Sequence, residues 1–186
     1  MSFMLLGILN AQAAGGGGGA AFDLLETTTL TSNAGSVDFT GLGSYSDYKH
    51  LQLRILARAI SYTFTDLNLR FNNDSGSNYS RHRLRGTGSA VNSEATWNQT
   101  YMPIGNAADT STSNAFYAII LDVLDFSSTT KNTTTKALTG YTADGYDDVR
   151  LAGGLWNNTN AVTSINLTAD STSFQTGSRF SLYGVK

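Results

Sequence analysis

The sequence predicts an all-β protein, most simply a jelly-roll-like antiparallel β-sandwich, and three observations indicate this class. Thr, Val, Ile, Tyr and Phe, which favour pleated strands, are abundant. Short segments with alternating apolar and polar residues recur along the chain, and clusters of Gly, Asn, Asp and Ser separate them as turns. The chain has 186 residues, which is enough for one domain with a full hydrophobic core.

The N-terminal 19 residues differ from the rest in composition. An apolar run at residues 3–13 is followed by Ala14 and by the five glycines Gly15–Gly19. At about 11 residues the run is shorter than the roughly 20 that span a bilayer, so it predicts no membrane span. No Lys or Arg precedes it, as a secretory signal would require. We interpret it as an arm on a glycine spacer, held by another protein subunit through Phe3, Met4, Leu5, Leu6, Ile8 and Leu9.

Residues 20–186 are predicted to form the β-sandwich domain. In the strand that contains Leu51, Leu53 and Ile55, these apolar residues alternate with polar ones, so one face is buried and one is wet. In the last strand, Phe180 and Leu182 are expected to face inwards and to fix the C-terminus. The predicted strands are Leu24–Leu30, Ser36–Thr40, Tyr48–Ala59, Phe64–Asn72, Ala115–Phe126, Lys131–Gly140, Arg150–Trp156, Val162–Ala169 and Ser178–Val185.

The sequence pattern does not decide the secondary structure of two regions. Ala115–Phe126 is nearly continuously apolar and is expected to be the central strand of the core, although periodicity alone also allows a helix. Residues 86–114 are rich in Gly, Ser, Asn and Thr, so they form either functional loops or short strands that the pattern does not reveal.

The charge balance and the lack of cysteine argue against several classes of protein. Asp, Glu, Lys and Arg make up only 14% of the chain and the net charge is −2. Nucleic-acid binders usually carry a basic excess because phosphate contacts dominate their affinity, so we expect no nucleic-acid partner. With no cysteine, disulfides and thiolate metal sites are excluded. We expect no cofactor.

The stretch Leu67–Arg85 combines a strand, a turn and a basic cluster. The turn at Asn72–Asn78 offers oxygen ligands for Ca²⁺, but it lacks the Ca²⁺-loop pattern, and Asn, Asp, Ser and Gly are common turn formers. We therefore predict a structural turn and no metal site. Arg81, Arg83 and Arg85 alternate, and their guanidinium groups either bind carboxylates of a neighbouring protomer or line a solvated strand face. Of these two, we predict a contact between protomers.

Candidate catalytic residues are few. His50 and His82 are the two histidines, and no nucleophile-elbow sequence accompanies either of them. Asp144, Asp147 and Asp148 form the one dense acidic group, in a predicted turn. We therefore predict no catalytic residue.

Two tryptophans lie in or beside loop-like stretches. Aromatic rings displayed at the edge of a sandwich can stack on sugars, so Trp97 and Trp156 are candidates for binding a glycan. The alternative is that both pack in the core or in an interface.

Several segments carry a family resemblance that covers nearly the whole chain. They are MSFMLLGILNAQAAGGGGGAAFDLLETTTL, YSDYKHLQLR, LRFNNDSGSNYSRHRLRG, LDFSSTTKNTTTKALTGY, GLWNNTNAVTSINL and GSRFSLYGVK. With them the sequence resembles small virion structural proteins of tailed bacteriophages, which are frequent among aquatic phages.

The resemblance implies a non-enzymatic, jelly-roll-like module on the outside of the virion, as a capsid decoration, head-fibre or tail-appendage protein assembled in the host bacterial cytoplasm. Its implied partners are capsid or tail subunits and further copies of itself, as a homotrimer or otherwise a dimer. The alternative function is a tail-fibre module that recognises a host surface glycan.

Overall fold

The computed structural model describes residues 21–61, 63–143 and 145–186. Across this part of the chain there are twelve β-strands and one turn of 3₁₀ helix at Leu42–Tyr45. The strands are β1 (Phe22–Thr29), β2 (Ser36–Phe39), β3 (His50–Ala57), β4 (Thr65–Phe71), β5 (Tyr79–Gly86), β6 (Val91–Gln99), β7 (Met102–Ala107), β8 (Tyr117–Leu124), β9 (Thr133–Ala143), β10 (Tyr146–Trp156), β11 (Ile165–Ala169) and β12 (Arg179–Val185). The predicted arm and spacer, including Phe3, Met4, Leu5, Leu6, Ile8 and Leu9, lie outside the described residues.

The strands form two antiparallel sheets, which confirms the predicted sandwich. The larger sheet has the order β1-β12-β3-β8-β9-β10-β5-β6, and the smaller has the order β2-β11-β4-β7. Without β5, β6, β9 and β10, four strands remain in each sheet, in the orders β1-β12-β3-β8 and β2-β11-β4-β7. These eight strands follow the jelly-roll arrangement of two Greek keys.

Two inserted hairpins enlarge one of the two sheets. The hairpin β5–β6 lies between β4 and β7 in the chain, and the hairpin β9–β10 lies between β8 and β11. They join the larger sheet at β8, because β9 pairs with β8. The strand β10 then pairs with both β9 and β5. The larger sheet therefore extends well beyond the four strands of a simple jelly roll.

The core lies between the inner faces of the two sheets. Ile119, Leu121 and Val123 of β8 are buried there, whereas Ala118 and Ile120 on the same strand are exposed. Residues 115–126 thus contain a strand with alternating burial, and the helical alternative for them is wrong. Phe180 and Leu182 of β12 are fully buried, as predicted.

Residues 86–114 contain two strands that their composition did not reveal. The strand β6 lies at the edge of the larger sheet, and β7 lies at the edge of the smaller one. Pro103 in β7 suits an edge position, since proline has no N–H to donate to a further strand.

Candidate interaction surface

The turn predicted at Asn72–Asn78 carries the chain from β4 in the smaller sheet to β5 in the larger one. Asn72 and Asn73 have φ angles of 53° and 54°, in the left-handed region that asparagine tolerates. The side chain of Asn72 accepts hydrogen bonds from the backbone N–H groups of Thr163 and Ser164, at 2.8 and 3.1 Å. This turn is therefore held by protein groups of a distant loop.

Asp74 is the centre of the same turn. Its carboxylate accepts hydrogen bonds from the backbone N–H of Gly76, from Nδ2 of Asn78 and from Nε1 of Trp156, at 2.8, 2.8 and 2.7 Å. Burial opposes ionisation of Asp74, but these hydrogen bonds outweigh it and lower the pKa of the carboxyl group. Among the described residues no group of three His, Cys, Asp or Glu side chains is placed to hold a metal ion.

Trp156 is buried in the core, whereas the predicted glycan site requires its ring to be exposed. Its side chain is only 1% exposed, and its ring centroid lies 5.5 Å from that of Phe71 and 6.5 Å from that of Tyr79. No ring face is free to stack on a sugar, so the interpretation of Trp156 as a glycan-binding residue is wrong. The reason is the phase of β10, whose even-numbered residues point into the sandwich.

Trp97 remains a surface residue. It lies on the edge strand β6 and is 66% exposed. It borders a shallow cleft of about 580 Å³ whose other lining residues include His82, Gly153 and Leu155. A Cβ added at Gly153 would meet no atom within 4 Å, so the floor of this cleft is open.

The three predicted interface arginines are paired inside the chain. Arg81 donates to Oε1 of Glu94 at 2.9 Å, and Arg83 donates to Oε2 of the same carboxylate. Arg85 donates from Nε to Oδ1 of Asp148 at 2.7 Å. Their strand, β5, is flanked by β10 and β6, so it is not an edge of the sheet. The three guanidinium groups are therefore engaged by carboxylates of the same chain, and a contact of these arginines with another protomer stays a prediction.

Asp148 joins Arg85 to a second arginine, Arg150. These two arginines are direct cross-strand partners, and Asp148 lies between them with its side chain fully buried. Nε of Arg150 is 2.8 Å from Oδ2 of Asp148, and the hydroxyl of Tyr117 donates a hydrogen bond to the same oxygen. Burial raises the pKa of Asp148, but the bonds from Tyr117, Arg85 and Arg150 outweigh it and hold the pKa below 3.8. We call Arg85, Asp148, Arg150 and Tyr117 the buried ion network.

Asp147 and Asp148, two members of the acidic group, point to opposite sides of the larger sheet. Asp148 points into the sandwich, whereas Asp147, next to it on β10, is exposed on the opposite side. Asp144 lies outside the described residues. Asp147 and Asp148 thus cannot act as a pair of carboxylates on one substrate.

The two histidines lie apart from these aspartates. Nδ1 of His50 accepts a hydrogen bond from the backbone N–H of Asp125 at 2.9 Å, and His82 is exposed beside the Trp97 cleft.

The outer face of the larger sheet carries a feature that sequence reasoning missed. Ile120, Leu138, Leu151 and Leu84 are direct cross-strand neighbours on β8, β9, β10 and β5. Their exposed fractions are 44%, 52%, 49% and 51%. We call these four residues the apolar row. A second line of exposed apolar residues, Leu56, Val149 and Val91, runs beside it.

A groove crosses the same face towards β1. It has a volume of about 690 Å³, and its lining includes Leu24, Leu56, Ile120, Leu138 and Val149. The small residues Ala118 and Gly140, which face each other on β8 and β9, lie along it. We call this feature the outer groove.

Arginines accompany the apolar side chains of the outer groove. Arg54 and Arg179 are among its lining residues. The guanidinium carbon of Arg54 lies 4.3 Å from the ring centroid of Tyr183, and its Nε donates to Oε1 of Gln52 at 2.8 Å.

The signal for this face was present in the sequence. Leu84, Leu138 and Leu151 are isolated leucines, each with at least one polar neighbour, in the phase of the strand that faces away from the core. A leucine in the polar phase of one strand is unremarkable, since much of any protein surface is apolar. Only the register of β9, β10 and β5 brings the three leucines side by side.

No protein-family model, no curated protein sequence and no solved structure matches this chain. In the part of the chain that the structure describes, no helix is long and apolar enough to cross a membrane.

Proposed function

We propose that this chain is a non-enzymatic structural protein of a tailed-bacteriophage virion. Its N-terminal arm joins it to the particle, and its sandwich is displayed on the outside, as a capsid decoration or fibre component. The observation that carries this proposal is the apolar row, a continuous line of half-exposed aliphatic side chains on the outer face of the larger sheet.

The energetics of the apolar row support an assembled protein. Fully burying a Leu or Ile side chain is worth about 1.5–3 kcal/mol, so each half-exposed member leaves roughly 1 kcal/mol for a partner to gain. Contiguous apolar patches of more than a few hundred Å² on a monomer usually mark an interaction site. A subunit that repeats in a particle gains this stabilisation when a neighbour covers the row.

The jelly-roll topology and the sequence resemblance point in the same direction. Double-sheet jelly rolls occur in viral capsid proteins, and also in lectins and cupins, so the fold supports the proposal by analogy. The resemblance to phage virion proteins extends to the arm, the glycine spacer and the C-terminal strand.

The test is incorporation into particles of the phage that encodes the chain. A variant with Leu5→Ser, Leu6→Ser and Leu9→Ser is expected to fold and to be lost from purified particles. The matched control, Asn10→Ser with Gln12→Ser, is expected to be incorporated normally. Folding is checked by circular dichroism and thermal unfolding of both proteins. Normal copy number of the leucine variant in particles would contradict an anchoring role for the arm.

A second candidate function is recognition of a host surface glycan, and the exposed ring of Trp97 favours it. Stacking of a sugar on this ring in the cleft beside Gly153 is the contact that it requires. The variant Trp97→Ala is expected to reduce adsorption of particles to host cells, whereas Val91→Ala, at an exposed position on the same strand, is expected to leave it unchanged. Equal adsorption of both variants would rule out this role of Trp97.

A further inference from the structure

The edge strand β6 exposes apolar side chains beside an open sheet edge. Of the large apolar residues that the structure describes, Val91 and Trp97 are the two most exposed, at 74% and 66%. Both lie on β6 and point to the outer face of the larger sheet, as does Ala95 between them. No described strand pairs with the free side of β6. The edge and its outer face are therefore open to a partner.

The other three sheet edges carry features that discourage the addition of a strand. The strand β1 has an irregular register between Leu24 and Glu26, β2 has only four residues, and β7 contains Pro103. By contrast, β6 keeps an unbroken register with β5 from Val91 to Thr96 and contains neither proline nor lysine. It is thus the edge best suited to accept a further strand.

The hairpin loop between β5 and β6 fixes which backbone groups reach this edge. The N–H of Thr87 donates to the carbonyl of Ala90 at 2.8 Å, so the next pair, Gly86 and Val91, exchanges no hydrogen bonds of its own. The two kinds of pair alternate along an antiparallel ladder, so the even-numbered residues of β6 bond to β5. The N–H and C=O groups that point to the free edge are those of Val91, Ser93 and Ala95.

We infer that β6 pairs antiparallel with β6 of a second copy of this chain, about a two-fold axis at Ser93. Ser93 then faces its own counterpart, and Val91 of each copy faces Ala95 of the other. Each of these pairs exchanges two backbone hydrogen bonds, so every outward-pointing group finds a partner. Dimers with such a self-complementary interface are the commonest homo-oligomers. The inference goes beyond the proposed function and does not depend on it.

The side chains of β6 select this register. It places Asn92 opposite Glu94 of the other copy on the inner face, where the amide can donate to the carboxylate. A shift by two residues in one direction sets Glu94 opposite its own counterpart, and like charges directly opposite are destabilising. The same shift in the other direction leaves Ala95 without a strand partner. The strand is therefore complementary to itself in one register.

The same pairing covers the exposed apolar side chains. Trp97 becomes the diagonal neighbour of Val91 of the other copy, a separation that an aromatic side chain can bridge. The two-fold axis repeats this contact, and it is perpendicular to the sheet because residues opposite each other share a face. The outer faces of both copies, with their apolar rows, then form one continuous surface. In this dimer Trp97 is an interface residue, which is the alternative to binding a glycan.

A second β6 fits this edge better than the chain's own apolar segment does. Residues 3–9 carry large apolar side chains in both phases of an extended strand, so half of them would lie on the inner face beside Asn92 and Glu94. The strand β6 instead places polar side chains on that face. Phe22, the first residue of β1, also lies at the opposite edge of the sheet, seven inter-strand steps or about 34 Å away.

The first test compares Ser93→Pro with Ser93→Ala in the full-length protein. Proline removes an N–H that points away from β5, so an edge strand tolerates it, but it removes hydrogen bonds across the two-fold axis. Sedimentation velocity from about 1 to 500 μM measures the dimer dissociation constant. We expect Ser93→Pro to raise this constant at least about tenfold, whereas Ser93→Ala, which keeps the N–H, leaves it unchanged. Circular dichroism and thermal unfolding check that both variants fold.

A charge exchange tests the register and does not depend on a proline. Ser93→Lys and Ser93→Glu each place two like charges opposite each other at the axis, so each variant alone is expected to be monomeric. An equal mixture of the two is expected to form a dimer of unlike chains with a dissociation constant close to that of the wild type. The side chain of Ser93 is exposed, so neither change disturbs the core.

Three results would overturn the inference. One is a wild-type chain that stays monomeric over the whole concentration range, and protection of the Val91, Ser93 and Ala95 amides from hydrogen exchange in that monomer would assign the edge to another segment of the chain. The second is a dimer or trimer that Ser93→Pro leaves intact. The third is a Ser93→Lys chain that dimerises as tightly as the wild type. None of these results bears on incorporation into particles, so the proposed function is tested separately.

Discussion

The buried ion network makes a strong prediction about stability. Asp148 is the carboxylate between the cross-strand partners Arg85 and Arg150. The substitution Asp148→Asn keeps the size of the side chain and removes its charge. Two guanidinium groups then face each other across β5 and β10 without the anion that separates them, and like charges directly opposite in a sheet are destabilising.

The expected loss is large because the carboxylate is fully buried. Removing one partner of a buried ion pair typically costs about 3–5 kcal/mol, since it leaves an uncompensated charge away from water. Arg85 retains its hydrogen bond to Tyr146 at 2.8 Å, and Arg150 retains one to Asn106 at 2.9 Å. These remaining bonds place the expected value near the lower end of that range, at about 3 kcal/mol.

Urea unfolding at pH 7 measures this loss, with Asp147→Asn as the control. Asp147 is the next residue on β10 but is exposed on the outer face, so its substitution is expected to change the free energy of unfolding by less than about 0.5 kcal/mol. A loss below about 1 kcal/mol for Asp148→Asn, or equal losses for the two variants, would refute the role of the network in stability.

The pH dependence gives a second readout of the same network. The folded-state pKa of Asp148 lies below its ordinary value of 3.8, so its contribution is fully present above that value and is lost as the pH falls through the lower, folded-state pKa. The stability difference between the wild type and Asp148→Asn is therefore expected to be constant between pH 5 and pH 7 and to shrink below about pH 4.

Three further substitutions test the packing of the sandwich by the same unfolding assay. Tyr79→Phe removes the hydroxyl that accepts a hydrogen bond from the buried backbone N–H of Phe71 at 3.0 Å, and a loss of about 1–3 kcal/mol is expected; no loss would contradict this role of the hydroxyl. Gly154→Ala places a Cβ against Sδ of Met102 and is expected to cost about 1–3 kcal/mol, whereas Gly153→Ala, which meets open space, is expected to be nearly neutral; equal effects would contradict the inward phase of Gly154. Leu151→Thr, on the apolar row, is expected to change the stability of the isolated chain by less than about 0.5 kcal/mol, and a loss of several times that value would mean that the row packs within one chain.

Much of the sandwich could be predicted because each strand carries its own local pattern. The alternation of Leu51, Leu53 and Ile55 predicts a half-buried strand, and the structure places all three in the core. The turn at Asn72–Asn78 was predicted from its composition, since these residues favour turns whatever their distant neighbours are. The strand β6 was not predicted because it is polar apart from Val91, Ala95 and Trp97, and β7 was not predicted because it is only six residues long and contains Pro103 and Gly105.

The candidate surfaces were harder to predict because they depend on strand register. Arg85 and Asp148 are 63 residues apart in the sequence, so nothing local shows that the arginine is paired within the chain. Trp156 stands beside Asn157 and Asn158 and therefore resembles a loop residue, but the phase of β10 directs it into the core. The apolar row is likewise a property of four paired strands and of none of them alone.

The inner side of the inserted hairpins combines ionic side chains with the buried rings of Tyr79 and Trp156, whereas their outer side carries exposed leucines. On their inner side they carry Arg81, Arg85 and Arg150, at or near the rim of the smaller sheet, where Arg150 reaches Asn106 of β7. On their outer side they carry Leu84, Leu138 and Leu151. An isolated monomer gains little from charges inside and leucines outside, since the charges lose hydration and the leucines remain in water. The arrangement becomes favourable once another molecule covers the outer face. Under the proposed function, the outer face of β5, β9 and β10 is therefore the surface that a neighbouring subunit would cover.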